Sequence, residues 1–137
     1  MLTGLSTIFP CNDIESTANF YVHKLGFKAV KYLGVTEPHI CLYRDTTEII
    51  LIKVLHGVFK PNHSLYGYGE DVYFYTKKQE VLEKEFRENG VKFIKPLGIT
   101  DYNNKEFIIE DCDGRYIAFG NKIKWRNSVR IFLCIVN

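Results

Sequence analysis

Carboxylates and imidazoles are the side chains of this chain with the most evident chemistry, because they serve as general bases and as metal ligands. Glu48 lies in a β-prone run, Glu70 and Asp71 precede another such run, and His56 and His63 lie between the two. By residue type, Glu48 is a candidate general base and the acidic pair a candidate catalytic pair. The histidines are candidate metal ligands or a cap over a site. Each type is more often simply solvated at such positions, so both interpretations stand at this point.

Tyrosines offer the chemistry of binding. An aromatic ring stacks on an apolar ligand while its hydroxyl remains available for a hydrogen bond, which suits the wall of a binding site. The alternative is that the rings only fill a curved sheet, and the sequence leaves both possibilities open. The tyrosines concerned are Tyr66, Tyr68, Tyr73, Tyr75, Tyr102 and Tyr116.

The composition predicts one globular domain without nucleic-acid or membrane partners. The chain has 137 residues, 46% of them hydrophobic and 25% charged, which is enough for a substantial core. A net charge of +2 with dispersed lysines argues against nucleic acid, and the longest apolar run, residues 131–136, is too short to cross a bilayer. The four cysteines form no C-x-x-C pair and no signal segment is evident, so we expect reduced thiols and a cytoplasmic location.

The first half of the chain predicts one strand, one helix and three more strands. Asn12 and Asp13 supply a helix N-cap, and Gly26 supplies a left-handed stop. Between them, apolar residues recur at helical spacing from Ile14 to Leu25. The predicted strands are residues 5–11, 27–33, 39–43 and 48–54.

The second half predicts the same order of elements after an aperiodic linker over residues 56–70. A strand over 71–76 precedes a helix over 79–89, which we expect to pack on Val81, Leu82 and Phe86. A short strand over 91–94 and a polar loop over 96–104 follow. A hairpin then turns at Asp111–Gly114, where Gly114 can take a positive φ.

A short repeat supports duplication of this unit. Residues 26–34 align with residues 90–98 in their first and last glycines, two lysines and a Leu-Gly pair. Two tandem βαβββ modules are therefore predicted, an α+β fold with a curved half-barrel sheet around a groove. A helix covers only one face of each module, so the opposite faces are left to form the groove.

Strand alternation predicts which side chains face that groove. Thr7, Phe9 and Cys11 should lie under the helix, and a register slip of one residue would invert the assignment. The residues predicted to face the groove are Ser6, Ile8, Pro10, Glu48, Ile50, Ile52, Asp71, Tyr73, Tyr75, Tyr116, Ala118 and Gly120.

Several motifs occur in an order that resembles the glyoxalase/bleomycin-resistance/dioxygenase superfamily, also called vicinal oxygen chelate proteins. They are the helix entry over 12–21, L-G-F over 25–27, N-G-V over 89–91, and the E-F, D-C-D-G and F-G of the hairpin over 106–120. The resemblance covers nearly all of residues 5–121. It implies a single domain over 1–121, with module one about 4–55, a linker about 56–69 and module two about 70–121. Residues 122–137, with Trp125 and the apolar run over 131–136, form a C-terminal extension.

The resemblance also identifies where metal ligands would stand in this superfamily. The four positions fall on Ser6, near Ile50, on Asp71 and on Ala118. Only Asp71 offers a good ligand, so we expect no metal, no other cofactor and no catalytic residues. The sequence then resembles most the metal-free, bleomycin-resistance-like branch, whose members are homodimers that sequester a drug in a crevice between subunits.

The predicted function is thus metal-free sequestration of a small molecule by a homodimer. A cationic or aromatic ligand is expected, since Glu48, Asp71 and Glu106 would attract a cation. One alternative is a divergent metal-dependent lyase or dioxygenase that uses Asp71, Glu48 and loop histidines; another is a scaffold without a ligand. The predicted ligand-binding residues are Ser6, Ile8, Glu48, Ile50, Ile52, Asp71, Tyr73, Tyr75, Tyr102, Tyr116 and Ala118.

Overall fold

Two units with the same order of elements make up the computed structural model, which describes residues 1–123. The first contains β1 (Thr7–Cys11), α1 (Ile14–Leu25), β2 (Lys28–Tyr32), β3 (His39–Arg44) and β4 (Thr47–Lys53). A linker with the short helix α2 (Asn62–Tyr66) follows. The second contains β5 (Val72–Tyr75), α3 (Gln79–Glu88), β6 (Lys92–Ile99), β7 (Asn104–Glu110) and β8 (Tyr116–Lys122).

The described strands form two four-stranded mixed sheets of equivalent topology. The strand orders are β1-β4-β3-β2 and β5-β8-β7-β6, and in each sheet the first strand pairs in parallel with the last strand of its module. The predicted α+β fold of two tandem βαβββ modules is therefore confirmed. The sheets remain separate and do not close into a barrel.

Local sequence signals end the elements where they were predicted to end. Asp13 caps α1 by accepting hydrogen bonds from the amides of Glu15 (3.0 Å) and Ser16 (3.3 Å). Gly26 stops α1 at φ 72°, a left-handed conformation that glycine adopts without a Cβ clash. Gly114 also takes a positive φ, 85°, in the turn between β7 and β8.

Three predictions on the second half were wrong in detail. The linker was predicted to lack structure but contains α2, which is too short for a periodic signal. The predicted loop after Ile94 is largely strand, because β6 continues through Pro96 to Ile99 with two register shifts. As an edge strand with bulges, β6 tolerates a residue without an N–H. Val81 is 62% exposed, so α3 packs on Leu82 and Phe86 alone of the three predicted residues.

One continuous core joins the modules. Phe27 of the first module and Phe74 of the second have ring centroids 6.2 Å apart, and Phe74 stacks on Phe119 at 5.3 Å. At the surface the guanidinium of Arg44 donates two hydrogen bonds to the Glu85 carboxylate, at 2.6 and 2.9 Å. The core therefore lies on the helix-bearing sides of the sheets.

Residues 124–137 lie outside the described part of the chain, and so do the predictions for Trp125 and for the apolar run over 131–136. Within residues 1–123, no helix has the length and apolar character needed to traverse a lipid bilayer.

Candidate functional site

Strand alternation places the side chains on the predicted sides of the sheets. In β1 and β4, Phe9, Ile49 and Leu51 are buried, whereas their neighbours Ile8 and Ile52 are 57% and 40% exposed. We call the sides opposite the core the outer faces. The outer face of module one contains Ser6, Ile8, Glu48, Ile50 and Ile52, and that of module two contains Tyr73, Tyr75, Tyr116 and Ala118.

The outer face of module one is an apolar surface with one acidic group at its edge. Ile8 lies opposite Ile50, Ile50 opposite Cys41, and Cys41 opposite Val30, so an apolar row crosses all four strands. At the edge, Ser6 donates a hydrogen bond to Glu48. Hydrogen bonds from Ser6 and then Tyr43 lower the pKa of the Glu48 carboxyl, so this acid stays ionised.

The outer face of module two holds a buried carboxylate under two tyrosines. Glu106 is 0% exposed, and its Oε1 accepts hydrogen bonds from the hydroxyls of Tyr73 (3.3 Å) and Tyr102 (3.1 Å). Asn104 donates its side-chain amide to the Tyr73 hydroxyl at 3.1 Å. The other oxygen of Glu106, Oε2, is buried and has no hydrogen-bond partner among residues 1–123. A buried acceptor without a hydrogen-bond partner is costly to the fold.

The tyrosine hydroxyls are held in their protonated form. Burial and, after it, the negative charge of Glu106 raise the pKa of Tyr73 to about 12. Burial and the hydrogen bond to Glu106 likewise raise the pKa of Tyr102, although the ring is 63% exposed. The cluster therefore presents protonated phenols around a carboxylate.

A glycine makes this arrangement possible. Gly120 lies between Glu106 and Tyr75 in the strand register, on the strand that separates β5 from β7. A Cβ there would stand 2.5 Å from both the Glu106 Cβ and the Tyr73 hydroxyl, far below contact distance. Only glycine leaves room for the hydroxyl to reach the carboxylate.

Two other predicted residues of this face are already covered. Tyr116 stacks on His63 of α2 with ring centroids 3.7 Å apart, and the His63 Nε2 lies 2.8 Å from the carbonyl oxygen of Gly114. Ala118 is fully buried. Tyr73, Tyr75 and Tyr102 are thus the tyrosines that border the Glu106 cluster, and Tyr75 packs against Tyr73 at 5.2 Å.

Asp71 and Ile8 meet in a different place, a crevice between the first strand and the linker. The crevice has a volume of about 470 Å³. Asp71 binds the backbone amide of Asn62 through Oδ1 at 3.2 Å, while its Oδ2 is buried and has no partner within the described chain. The residues that line the crevice are Thr7, Ile8, Phe9, Pro10, Val54, Val58, Phe59, Lys60, Asn62, Leu65, Asp71 and Arg115.

Arg115 is the buried cation of this crevice. It is fully buried, forms ion pairs with Asp111 (3.0 Å) and Asp113 (2.8 Å), and lies between the rings of Phe9 and Phe59. It also donates to the carbonyl oxygen of Pro10 in module one. This residue therefore connects the β7–β8 turn to β1 and to the linker.

Comparison with known proteins identifies the family. The model of the glyoxalase/bleomycin resistance protein/dioxygenase superfamily matches residues 5–119. The chain belongs to this superfamily. No match was found among curated proteins.

Solved structures share the fold at low sequence identity. TnmS3, an antibiotic binding protein from Streptomyces sp. CB03234, has a TM-score of 0.68 and 19% identity, with 90% of this chain and 99% of that chain covered. A superfamily member from Sphaerobacter thermophilus DSM 20745 has a TM-score of 0.64 and 22% identity, with 88% and 97% covered. An integron cassette protein from V. cholerae has a TM-score of 0.61 and 24% identity, with 88% and 95% covered.

The positions that carry metal ligands in this superfamily do not fit a metal here. Ile50 and Ala118 have no donor atom, and the Ser6 hydroxyl is engaged with Glu48. The alternative enzyme hypothesis uses Glu48, Asp71 and the loop histidines His56 and His63. Of these, Glu48, Asp71 and His63 each bond to different neighbours. Within residues 1–123, no three His, Cys, Asp or Glu side chains are grouped to hold an ion.

Sequence reasoning missed the central role of three residues. Glu106 was considered only for its charge, although its place before the core residue Phe107 already puts it on the outer face. Asn104 was placed in a loop and is the first residue of β7. Arg115 follows a turn, where a charged residue is normally solvated, and no sequence signal indicates its burial.

Proposed function

We propose that this superfamily member is a metal-free small-molecule-binding protein that sequesters its ligand as a cytoplasmic homodimer. The ligand is an aromatic molecule that carries a cationic or hydrogen-bond-donating group. It lies against the outer face of module two in one copy and the outer face of module one in the other. The binding residues are then Tyr73, Tyr75 and Tyr102 on one side and Ser6, Ile8, Glu48, Ile50 and Ile52 on the other.

The observation that carries this proposal is the buried carboxylate of Glu106 with one unpartnered oxygen. Two phenol hydroxyls orient the carboxylate through Oε1 and leave Oε2 for a donor from outside the described chain. Hydrogen bonds that involve a charged group are about twice as strong as neutral ones, so a cationic donor should bind this oxygen most tightly. The exposed rings of Tyr75 and Tyr102 provide stacking surface next to it.

A second copy supplies the cover for the apolar outer face of module one. Ile8, Val30, Tyr32 and Ile52 are all substantially exposed on one side of one sheet. A contiguous apolar sheet face of this kind is typical of an interface or a ligand site. TnmS3, a protein of the same fold, is an antibiotic binding protein, so this fold can host the kind of binding proposed here.

The test is a thermal-shift titration of the full chain with bleomycin and with aromatic compounds in matched amine and uncharged versions. Ligand binding to the folded state raises the melting temperature, and the amine-bearing compounds should raise it most. Glu106→Gln keeps the shape of the side chain and removes its charge, so affinity should fall about tenfold or more. Glu88→Gln, an exposed position on α3, is the control for loss of one negative charge.

Two further measurements distinguish the proposed metal-free homodimer from a metal-dependent enzyme. Light scattering coupled to size exclusion should give the mass of a dimer. Zn²⁺, Ni²⁺, Mn²⁺ and Fe²⁺ should give no specific stabilisation. A stoichiometric, tightly bound ion, or equal affinity in the wild type and Glu106→Gln, would refute the proposal.

A further inference from the structure

The crevice that contains Asp71 is a second concave site, separate from the Glu106 cluster. Its volume of about 470 Å³ lies in the range of small-molecule pockets. The walls are mainly apolar and come from β1, from the linker and from α2; they include Ile8, Val54, Val58 and Leu65. Neither Glu106 nor any tyrosine contributes to its lining.

Among residues 1–123, three buried side-chain atoms have no hydrogen-bond partner, and two of them line this one crevice. They are the Oδ2 of Asp71 and the Nε of Arg115; the third is the Oε2 of Glu106. Buried polar groups without partners are rare in folded proteins, and each is usually satisfied by an ordered water or a ligand. Two of them in the wall of one apolar crevice make a polar anchor for a molecule with an apolar body.

The free carboxylate oxygen of Asp71 favours a cationic hydrogen-bond donor as the anchored group. The guanidinium of Arg115 is neutralised by Asp111 and Asp113, and its Nη atoms bond those carboxylates and the carbonyl oxygen of Pro10. Lys60 is an exposed residue at the opening. Lys60 and Arg115 are the cations of the crevice lining and Asp71 is its carboxylate. The free carboxylate oxygen belongs to Asp71.

We infer that the crevice is a binding site for a small primary amine with an aromatic or branched apolar body. Its ammonium group donates to the Asp71 Oδ2, and its apolar part contacts Ile8, Val54, Val58 and Leu65. This site lies within one chain and does not require the dimer or the sequestration proposed above.

The test uses amide chemical-shift mapping of the ¹⁵N-labelled full chain with phenethylamine and tryptamine. For each amine, the matching alcohol and carboxylic acid serve as probes of the charge. The amines should shift the amides of Ile8, Val54, Val58, Leu65 and Asp71, and should bind at least about tenfold more tightly than the alcohols. The carboxylates should bind more weakly still.

Variants separate this site from the Glu106 site. Asp71→Asn retains an acceptor for the Asn62 amide and removes the charge, so amine binding should fall about tenfold or more. Asp101→Asn, at an exposed position, and Glu106→Gln should leave it unchanged. The inference fails if no amine shifts these amides, if the shifts fall on Tyr73 and Tyr102, or if alcohols match the amines. The chemical-shift mapping of the wild-type chain tests the inference even if Asp71→Asn does not fold.

Discussion

The hydroxyl of Tyr73 reaches the Oε1 of Glu106 over 3.3 Å although the two residues lie on strands that are not neighbours. Strand β8 runs between β5 and β7, and Gly120 lies where the hydrogen bond crosses it. The absence of a side chain at one position of β8 therefore determines whether the carboxylate and the phenol can meet. Five predictions test this packing and the buried ion pairs.

Gly120→Ala should disrupt the cluster. Its Cβ would come within 2.5 Å of the Glu106 Cβ and 2.7 Å of the backbone carbonyl oxygen of Lys105, which cannot move as a side-chain tip can. Such overpacking costs about 1–3 kcal/mol in the free energy of unfolding, measurable by chemical denaturation. Gly98, which pairs with Glu106 from the other side, is the control, because its nearest neighbour is 3.9 Å away. Equal stability of the two variants would contradict this account.

Tyr73 should ionise late in an alkaline titration. Its pKa is raised to about 12 from the ordinary 10.0, so a component of the phenolate absorbance should appear near pH 12 and vanish in Tyr73→Phe. In Glu106→Gln this component should move toward lower pH without reaching 10, because burial, the larger cause, remains. No change in Glu106→Gln would show that the carboxylate does not act on the phenol.

The same shift predicts the direction of a stability change with pH. The folded state holds the Tyr73 proton more tightly than the unfolded chain does. Its contribution to stability is therefore complete below about pH 10 and is lost as the pH rises through 12. The stability difference between the wild type and Tyr73→Phe should accordingly shrink above pH 10.

Arg115→Met should be strongly destabilising at neutral pH. The substitution leaves Asp111 buried without its cation, a change that typically costs about 3–5 kcal/mol. Lys84→Ala, which removes an exposed pair with Glu88, should change the unfolding free energy by less than about 1 kcal/mol. Similar losses in both variants would contradict the structural role of Arg115.

The Arg115→Met variant should also recover stability in acid. Burial raises the pKa of Asp111 above its ordinary 3.8, and Arg115 is the main influence that lowers it. Without the guanidinium the carboxyl should protonate at higher pH in the folded state. A raised carboxyl pKa means that ionisation destabilises the fold, so stability should increase as the pH falls toward 5. Denaturation at pH 7 and pH 5 measures this change.

The sequence was sufficient for those features that depend on neighbouring residues. Alternation in β1 assigned Phe9 to the core and Ile8 to the outer face, and Asp13 and Gly26 bounded α1. Features that depend on contacts between residues far apart in the sequence could not be predicted. Glu106 gains its importance from Tyr73, 33 positions away in the chain. Arg115 is buried only because Pro10 and Phe9 of the other module cover it.

The most direct test of the proposed function is a crystal structure of the full chain with the compound that stabilises it most. We expect the compound between two copies, with a donor group at the Glu106 Oε2 and its ring against Tyr102. A structure with no compound at either outer face would contradict the proposed function, whether or not the Asp71 crevice is occupied. So would a metal ion held by protein atoms at Ser6, Asp71 or Ala118.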